Sequence, residues 1–185
     1  MKAIHPNLVW IDLEMTGLGD EQVILEIATI VTDGFLDIIA EGPEIAIWRS
    51  EEDLNNIESW SLEHHTASGL LARVKSSKIT LKEAEVQTLD FLSKWTSKGE
   101  SPLCGNSVYT DRRFLRKEMP ILDEFLHYRL IDVSTVKELA KRWYPSLDKP
   151  EKEGYHLALA DIRESVDELK WYRDNVFLKT DFKNE

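Results

Sequence analysis

Asp12 and Glu14 stand two residues apart inside an apolar run, Leu8-Val9-Trp10-Ile11-Asp12-Leu13-Glu14-Met15. Such a run predicts a strand. Alternate strand residues share a face, so the two carboxylates point the same way from positions about 7 Å apart. Like charges in a poorly solvated place repel and lose hydration, which calls for a bound cation or a raised pKa. An edge strand with a wet face would carry the same pair without that chemistry. Asp111 opens a helix expected over Asp111–Met119, where an acid in the first turn is also simply favourable. Asp161 sits near the start of the last helix, in His156-Leu157-Ala158-Leu159-Ala160-Asp161, and has the same ordinary explanation. On a continuous helix His156 and Asp161 would lie roughly 140° apart. They converge on one site only if His156 belongs to the loop before the helix, and Gly154-Tyr155 leaves room for that. A loop His beside a metal cluster is placed to take a proton from an attacking water; the plainer role is a capping or partly buried imidazole.

The elements that must position these residues follow from periodicity. Strands are expected at Leu8–Glu14, Ile24–Thr32, and Ile38–Glu41 with Ile45–Trp48, close enough together for an antiparallel meander; Asp33-Gly34 supplies a turn. Thr80 and Glu83 form a capping box, with Leu81, Ala84, Thr88, Phe91, Leu92 and Trp95 on one helical stripe and Gly99 as the stop. Pro102–Gly105 is a fourth strand, and Pro120 ends the helix that Asp111 opens. Tyr128–Val133 is a fifth strand, followed by a helix over Ser134–Trp143 and a last helix over Leu157–Asp174. Strands first together and then alternating with helices predict an α/β mixed sheet with helices on its faces.

Composition narrows the classes. The 185 residues suit a single domain, 1–185, with 42% hydrophobic and 31% charged residues. One cysteine, Cys104, allows no intrachain disulfide and points to a reducing, cytoplasmic setting. The start Met1-Lys2-Ala3-Ile4-His5-Pro6 lacks a signal peptide's apolar stretch, and no apolar run reaches the ~18 residues of a membrane span. A net charge of −11 argues against a broad grip on long duplex nucleic acid, yet leaves room for a short nucleotide in a local pocket. The six Trp suggest large packed surfaces, including a subunit interface.

Asp12, Glu14, Asp111 and Asp161, with His156 five positions before the last Asp, resemble the DEDDh family of 3′→5′ exonucleases. Longer strings are similar to its oligoribonuclease branch: Trp10-Ile11-Asp12-Leu13-Glu14-Met15-Thr16-Gly17-Leu18, His65-Thr66-Ala67-Ser68-Gly69-Leu70, Cys104-Gly105-Asn106-Ser107, Asp132-Val133-Ser134-Thr135 and Asp161-Ile162-Arg163-Glu164-Ser165. They run in order from about Asn7 to Phe177.

The resemblance implies a ribonuclease-H-like fold with a five-stranded sheet, a homodimer, and two Mg²⁺ or Mn²⁺ ions per active site. It gives Asp12, Glu14 and Asp161 to one ion, Asp12 and Asp111 to the other, and the general base to His156. Carboxylate oxygens suit hard divalent cations, and the chain has no Cys/His zinc pattern. The implied substrate is short RNA, chiefly dinucleotides, cleaved to nucleoside 5′-monophosphates. Leu18 is then expected between two bases, Trp60 and His65 near the 3′ nucleotide, and Ser107, Arg129 and Ser134 on the 5′ phosphate, joined by Tyr128 from the other subunit. Without the family, Leu18 is one more loop apolar, Trp60 and Tyr128 core or interface aromatics, and Arg129 a surface charge.

Val108-Tyr109-Thr110 departs from the family, with a Tyr beside the expected phosphate cap, and Leu147–Gly154 is also individual. Arg112, Arg113, Arg116 and Lys117 suit a solvated or ion-paired helix face, or a phosphate site. Glu83, Glu85, Glu164 and Glu168 read as exposed helix charges. Two rival functions remain at this level: an exonuclease for longer RNA ends or DNA, which needs an open 5′ side, and a silent nucleotide-binding dimer.

Overall fold

The computed structural model describes residues 5–147 and 158–178. One mixed sheet has the strand order β3-β2-β1-β4-β5. β1 (Leu8–Met15), β2 (Ile24–Thr32) and β3 (Ile38–Ala46) form the antiparallel meander. β4 (Pro102–Gly105) and β5 (His127–Asp132) join it parallel to β1. Parallel neighbours require long crossovers, and helices supply them. α4 (Leu81–Leu92) precedes β4; α5 (Tyr109–Glu118) and α6 (Pro120–Phe125) connect β4 to β5; α7 (Val133–Trp143) follows β5; α8 (Ala158–Asn175) comes last.

The sheet is covered on both sides. Val9, Ile11 and Leu13 of β1 face a cluster with Ala84 and Leu92 of α4, Phe114 and Leu115 of α5, and Leu122 of α6. Trp10, Ala28 and Ile30 face the other way, against Val133 and Ala140 of α7 and Ile162, Val166 and Tyr172 of α8. All nine residues of β2 are buried, as a strand flanked by neighbours and helix layers requires. Asp12 and Glu14 share the pleat of Trp10, so they emerge on the face that α8 covers.

Several expectations are corrected in detail. The third strand is one irregular element rather than two, because the register with β2 slips between Ala28 and Ile30 and lets the chain pass Gly42-Pro43. The Thr80–Glu83 capping box is formed, but α4 ends at Leu92, leaving Trp95 in a turn and Gly99 well past the helix. Pro120 both closes α5 and starts α6, since a proline at the first helical position gives up a donor that would be unpaired anyway. Glu85 is buried, and its carboxylate accepts from the Ile121 and Leu122 N–H groups at the start of α6. Glu168 is also buried.

Three short helices were not anticipated: α1 (Glu51–Asn55), α2 (Ser59–Ala67) and α3 (Leu70–Ser76). α2, Ser-Trp-Ser-Leu-Glu-His-His-Thr-Ala, has no apolar stripe and so no periodic signal. Gly69 separates α2 from α3 with φ 77°, a left-handed conformation that glycine adopts without a Cβ penalty.

Candidate active site

The C-terminal half of β1, the first turn of α5 and the first turn of α8 converge. Asp12, Glu14 and Asp161 offer carboxylate oxygens that all lie within 4.8 Å of one another. Asp111, in the first turn of α5, is buried, and its Oδ1 accepts the Leu13 N–H at 3.1 Å, between the two β1 acids. Four acids separated by up to 149 residues of sequence thus meet at one place. The expected helix start at Asp111 is two residues late, because α5 begins at Tyr109. His156 lies outside the described residues.

Electrostatics marks this cluster as incomplete by itself. Burial, then the charges of Asp111, Glu14 and Asp161, hold the Asp12 carboxyl well above the usual range. Glu14 is pushed up to about 8 by burial first and then by Asp161 and Glu26, with Arg73 pulling slightly the other way. Asp111 rises to about 7 through burial, moderated by hydrogen bonds from backbone N–H groups, including that of Leu13. Raised carboxylates crowded together fit hard divalent cations, which replace the lost hydration with opposite charge.

Glu26 was missed in the sequence although it faces Glu14 directly across the β1–β2 ladder. It is fully buried and paired with Arg73 of α3, which offsets only part of the burial that raises its carboxyl. The available signal was an acid inside an otherwise apolar, β-branched strand. His65 is buried too: Nε2 is 2.9 Å from the Met15 carbonyl oxygen and Nδ1 is 3.8 Å from Glu14 Oε2. It therefore backs the end of β1.

Around the acids stand the remaining expected contacts. Leu18 is 62% exposed, yet both its backbone polar groups are held. Glu58 Oε1 accepts the Leu18 N–H at 3.2 Å, and Arg113 of α5 donates to the Leu18 carbonyl. A Cβ on Gly17 would lie 2.2 Å from Glu58 Cδ, so only glycine lets this carboxylate approach. Trp60 is exposed and stacked on His64, ring centroids 3.8 Å apart.

Ser107 and Ser134 meet at the N-terminus of α7, their Oγ atoms 3.2 Å apart. Arg129 precedes Asp132 by three residues, in the stretch of β5 where the register with β4 is irregular; its guanidinium carbon sits 5.4 Å from the Tyr128 ring centroid. Tyr109 and Tyr128, both exposed, line an open basin of about 530 Å³ with Arg112, Arg113, Arg116, Lys117 and Leu130. Those cations are largely engaged: Arg112 and Arg116 with Asp123, Arg113 with Asp20, and Lys117 with the Asp20 and Gln22 carbonyls.

A family model described as exonuclease matches residues 9–169. An oligoribonuclease of Vibrio parahaemolyticus is 57% identical over 96% of this chain and 99% of its own length. One from Haemophilus influenzae is 57% identical over 95% and 97%. The chain belongs to the oligoribonuclease family of exonucleases. Among solved structures, exonuclease I of Methylocaldum szegediense superposes with a TM-score of 0.72 at 16% identity, over 92% of this chain. E. coli exonuclease I, in a zinc-bound complex with single-stranded DNA, gives 0.70 at 14% identity over 93%. This chain spans about two-fifths of those larger enzymes, 41% of each, and at such identity the likeness establishes the ribonuclease-H-like fold alone. A hydrolytic, metal-dependent exonuclease family accounts for an acidic cluster of this kind at the end of β1.

Proposed function

We propose that this chain is a 3′→5′ exoribonuclease that degrades short oligoribonucleotides, chiefly dinucleotides, to nucleoside 5′-monophosphates. The observation that carries this is the convergence of Asp12, Glu14 and Asp161 within 4.8 Å, with Asp111 bonded between the two β1 acids. Oligoribonuclease relatives along nearly the whole chain support the short-RNA substrate. The acidic net charge of −11 supports it too, since a dinucleotide needs a few placed contacts rather than a basic track.

In this reading Asp12, Glu14 and Asp161 hold one divalent ion, Mg²⁺ or Mn²⁺, and Asp12 with Asp111 holds a second. Two such ions supply charge stabilisation to the attacking and leaving oxygens of an in-line phosphodiester displacement. His156 takes the proton of the attacking water, whose oxygen forms the new P–O bond as the bond to the 3′ oxygen breaks. Leu18 reaches between the bases on a backbone fixed by Glu58 and Arg113. Trp60 stacks near the 3′ nucleotide, while His65 holds β1 and Glu14 in place from behind. Ser107 and Ser134 receive the 5′ phosphate.

Arg129 joins the two serines there, and Tyr128 completes that cap from a second copy of the chain. Two features favour such a homodimer: β5 is an edge strand, and it exposes Tyr128 and Leu130 beside the exposed Tyr109. We take residues 1–185 as one exonuclease domain and its setting as cytoplasmic. No helix of the described residues is long and apolar enough to cross a membrane.

The test is a time course on a 5′-phosphorylated diribonucleotide with Mg²⁺, beside an EDTA-treated sample. Metal-dependent release of two mononucleotides is the expected result. An intact dinucleotide, with longer RNA or DNA trimmed from the 3′ end, would overturn the short-substrate reading.

A further inference from the structure

The two serines of the cap are fixed by a partly buried polar chain that reaches α8. Ser107 has φ 52°, a left-handed conformation costly for a residue with a Cβ. Asp132 Oδ1 holds it there by accepting the Ser107 N–H at 2.9 Å while accepting the Ser134 N–H, also at 2.9 Å. That one oxygen sets the backbones; the side chains are set elsewhere. Asn106 Oδ1 accepts the Ser134 hydroxyl at 3.0 Å, and its Nδ2 donates to Ser165 Oγ at 2.7 Å and Glu168 Oε2 at 3.3 Å. A carboxylate can only accept, so Glu168 fixes which way the amide faces.

Ser165 in turn donates to the Asp161 carbonyl at 2.8 Å. Glu168 is anchored by Lys137 of α7 at 3.1 Å and by Tyr172, whose phenol burial and Glu168 push up to about 12. A single amide thus joins the cap to the helix that presents Asp161.

Resting on the cap reading above, we infer that Asn106 is a positioning residue for recognition of the substrate's 5′ phosphate: anchored on Ser165 and Glu168 of α8, it accepts the Ser134 O–H and so fixes Ser134 Oγ where that oxygen accepts the Ser107 hydroxyl, presetting Ser107 Oγ for the phosphate. Neither Asp132, which holds backbone N–H groups, nor the α7 terminus fixes where that hydroxyl points. With Asn106 removed, Ser134 Oγ rotates freely and Ser107 Oγ has no preset partner. The loss falls on the phosphate contact, whereas the carboxylate cluster keeps its own links through Leu13 and β1.

The experiment compares kcat/KM for a dinucleotide with a 5′ phosphate and one with a 5′ hydroxyl, in the full-length protein, for wild type, Asn106→Ala, Ser134→Ala and the double variant. The wild type should favour the phosphate. Asn106→Ala should cut that preference by about tenfold, the scale of one lost hydrogen bond to a charged group, and change the 5′-hydroxyl substrate by less than about threefold. In the Ser134→Ala background the same substitution should have no further effect on the preference.

A uniform loss on both substrates would overturn the inference, as would full additivity with Ser134→Ala. If the wild type shows no preference, the cap reading itself fails, and the inference with it. Ser165→Ala, which keeps Asn106 and Glu168, is the second variant should Asn106→Ala fold poorly. It should weaken the preference more mildly, and an unchanged preference there would also count against the link to α8.

Discussion

The acidic cluster and the serine cap sit on neighbouring elements, yet they solve opposite problems. At the end of β1, Asp12, Glu14, Asp111 and Asp161 are brought together with burial and mutual repulsion only partly offset, so the carboxyls of Asp12, Glu14 and Asp111 hold protons above the usual range. At the start of α7, Ser107, Ser134, Asn106, Asp132 and Glu168 satisfy one another through a closed set of hydrogen bonds. The first region is stable only when something positive is added; the second is complete before substrate arrives. In the proposed function, reaction chemistry belongs to the first and recognition to the second. A buried charge unmatched by the protein is a demand for a ligand, whereas a matched one is scaffold. Glu26 is an intermediate case: a buried acid one strand away and outside the cluster, it has Arg73 as a partner, yet burial still raises its carboxyl and its charge adds to the rise at Glu14.

The largest effect should come from removing the shared carboxylate. Asp12→Asn should lower kcat by at least ~10³-fold, because several kcal/mol of charge stabilisation leave with the ions. In EDTA at pH 8 the same variant should melt at a higher temperature than wild type, since repulsion has been relieved. A lower melting temperature there would mean the cluster is internally matched after all, and the contrast with the cap would collapse.

His156→Ala should reduce kcat by ~10²–10⁴-fold, the usual worth of a general base, while leaving Mn²⁺ affinity by calorimetry close to wild type. Near-normal turnover would remove His156 from the mechanism.

Next comes pH. Glu14 and Asp111 ionise near their ordinary values of 4.5 and 3.8 when unfolded, but only at about 8 and about 7 when folded. The folded state therefore binds more protons between those limits, and the metal-free protein should lose stability as pH rises from about 4 to about 8. Mg²⁺ should raise the melting temperature more at pH 8 than at pH 5, where protons compete for the same oxygens. Thermal melts across that range check the sign; stability of the metal-free protein rising with pH would contradict it.

The smallest expected effect belongs to the satisfied region. Ser134→Ala should cost about 10- to 100-fold in kcat/KM on 5′-phosphorylated dinucleotides, because Ser107 Oγ loses the oxygen that presets it for a hydrogen bond to a charged group worth about 1.5–3 kcal/mol. Thermal melts should show little change, because the serine hydroxyl is one member of a network and Asp132 still caps α7.

Much of this molecule was legible from local pattern. β1, β2 and β4 follow from apolar runs and β-branching, and the α4 start from its capping box, since each depends on neighbours in sequence. α1 to α3 were not legible, because helices of 5 to 9 residues are held by tertiary contacts rather than by a stripe. Glu85 and Glu168 were read as surface charges because sequence gives a residue's type and not its surroundings; one caps α6 and the other anchors the cap network.

By itself the sequence determined which residues are candidates for the chemistry: the strand period put Asp12 and Glu14 on one face, and the family motifs singled out Asp111, His156 and Asp161. Only the tertiary structure decided that three of those acids share a volume small enough for one cation, with the fourth hydrogen-bonded alongside, and that Glu26 is paired with Arg73. The physical reason is that ionisation and metal affinity depend on distance and burial, and both are set by long-range packing of α5 and α8 against β1.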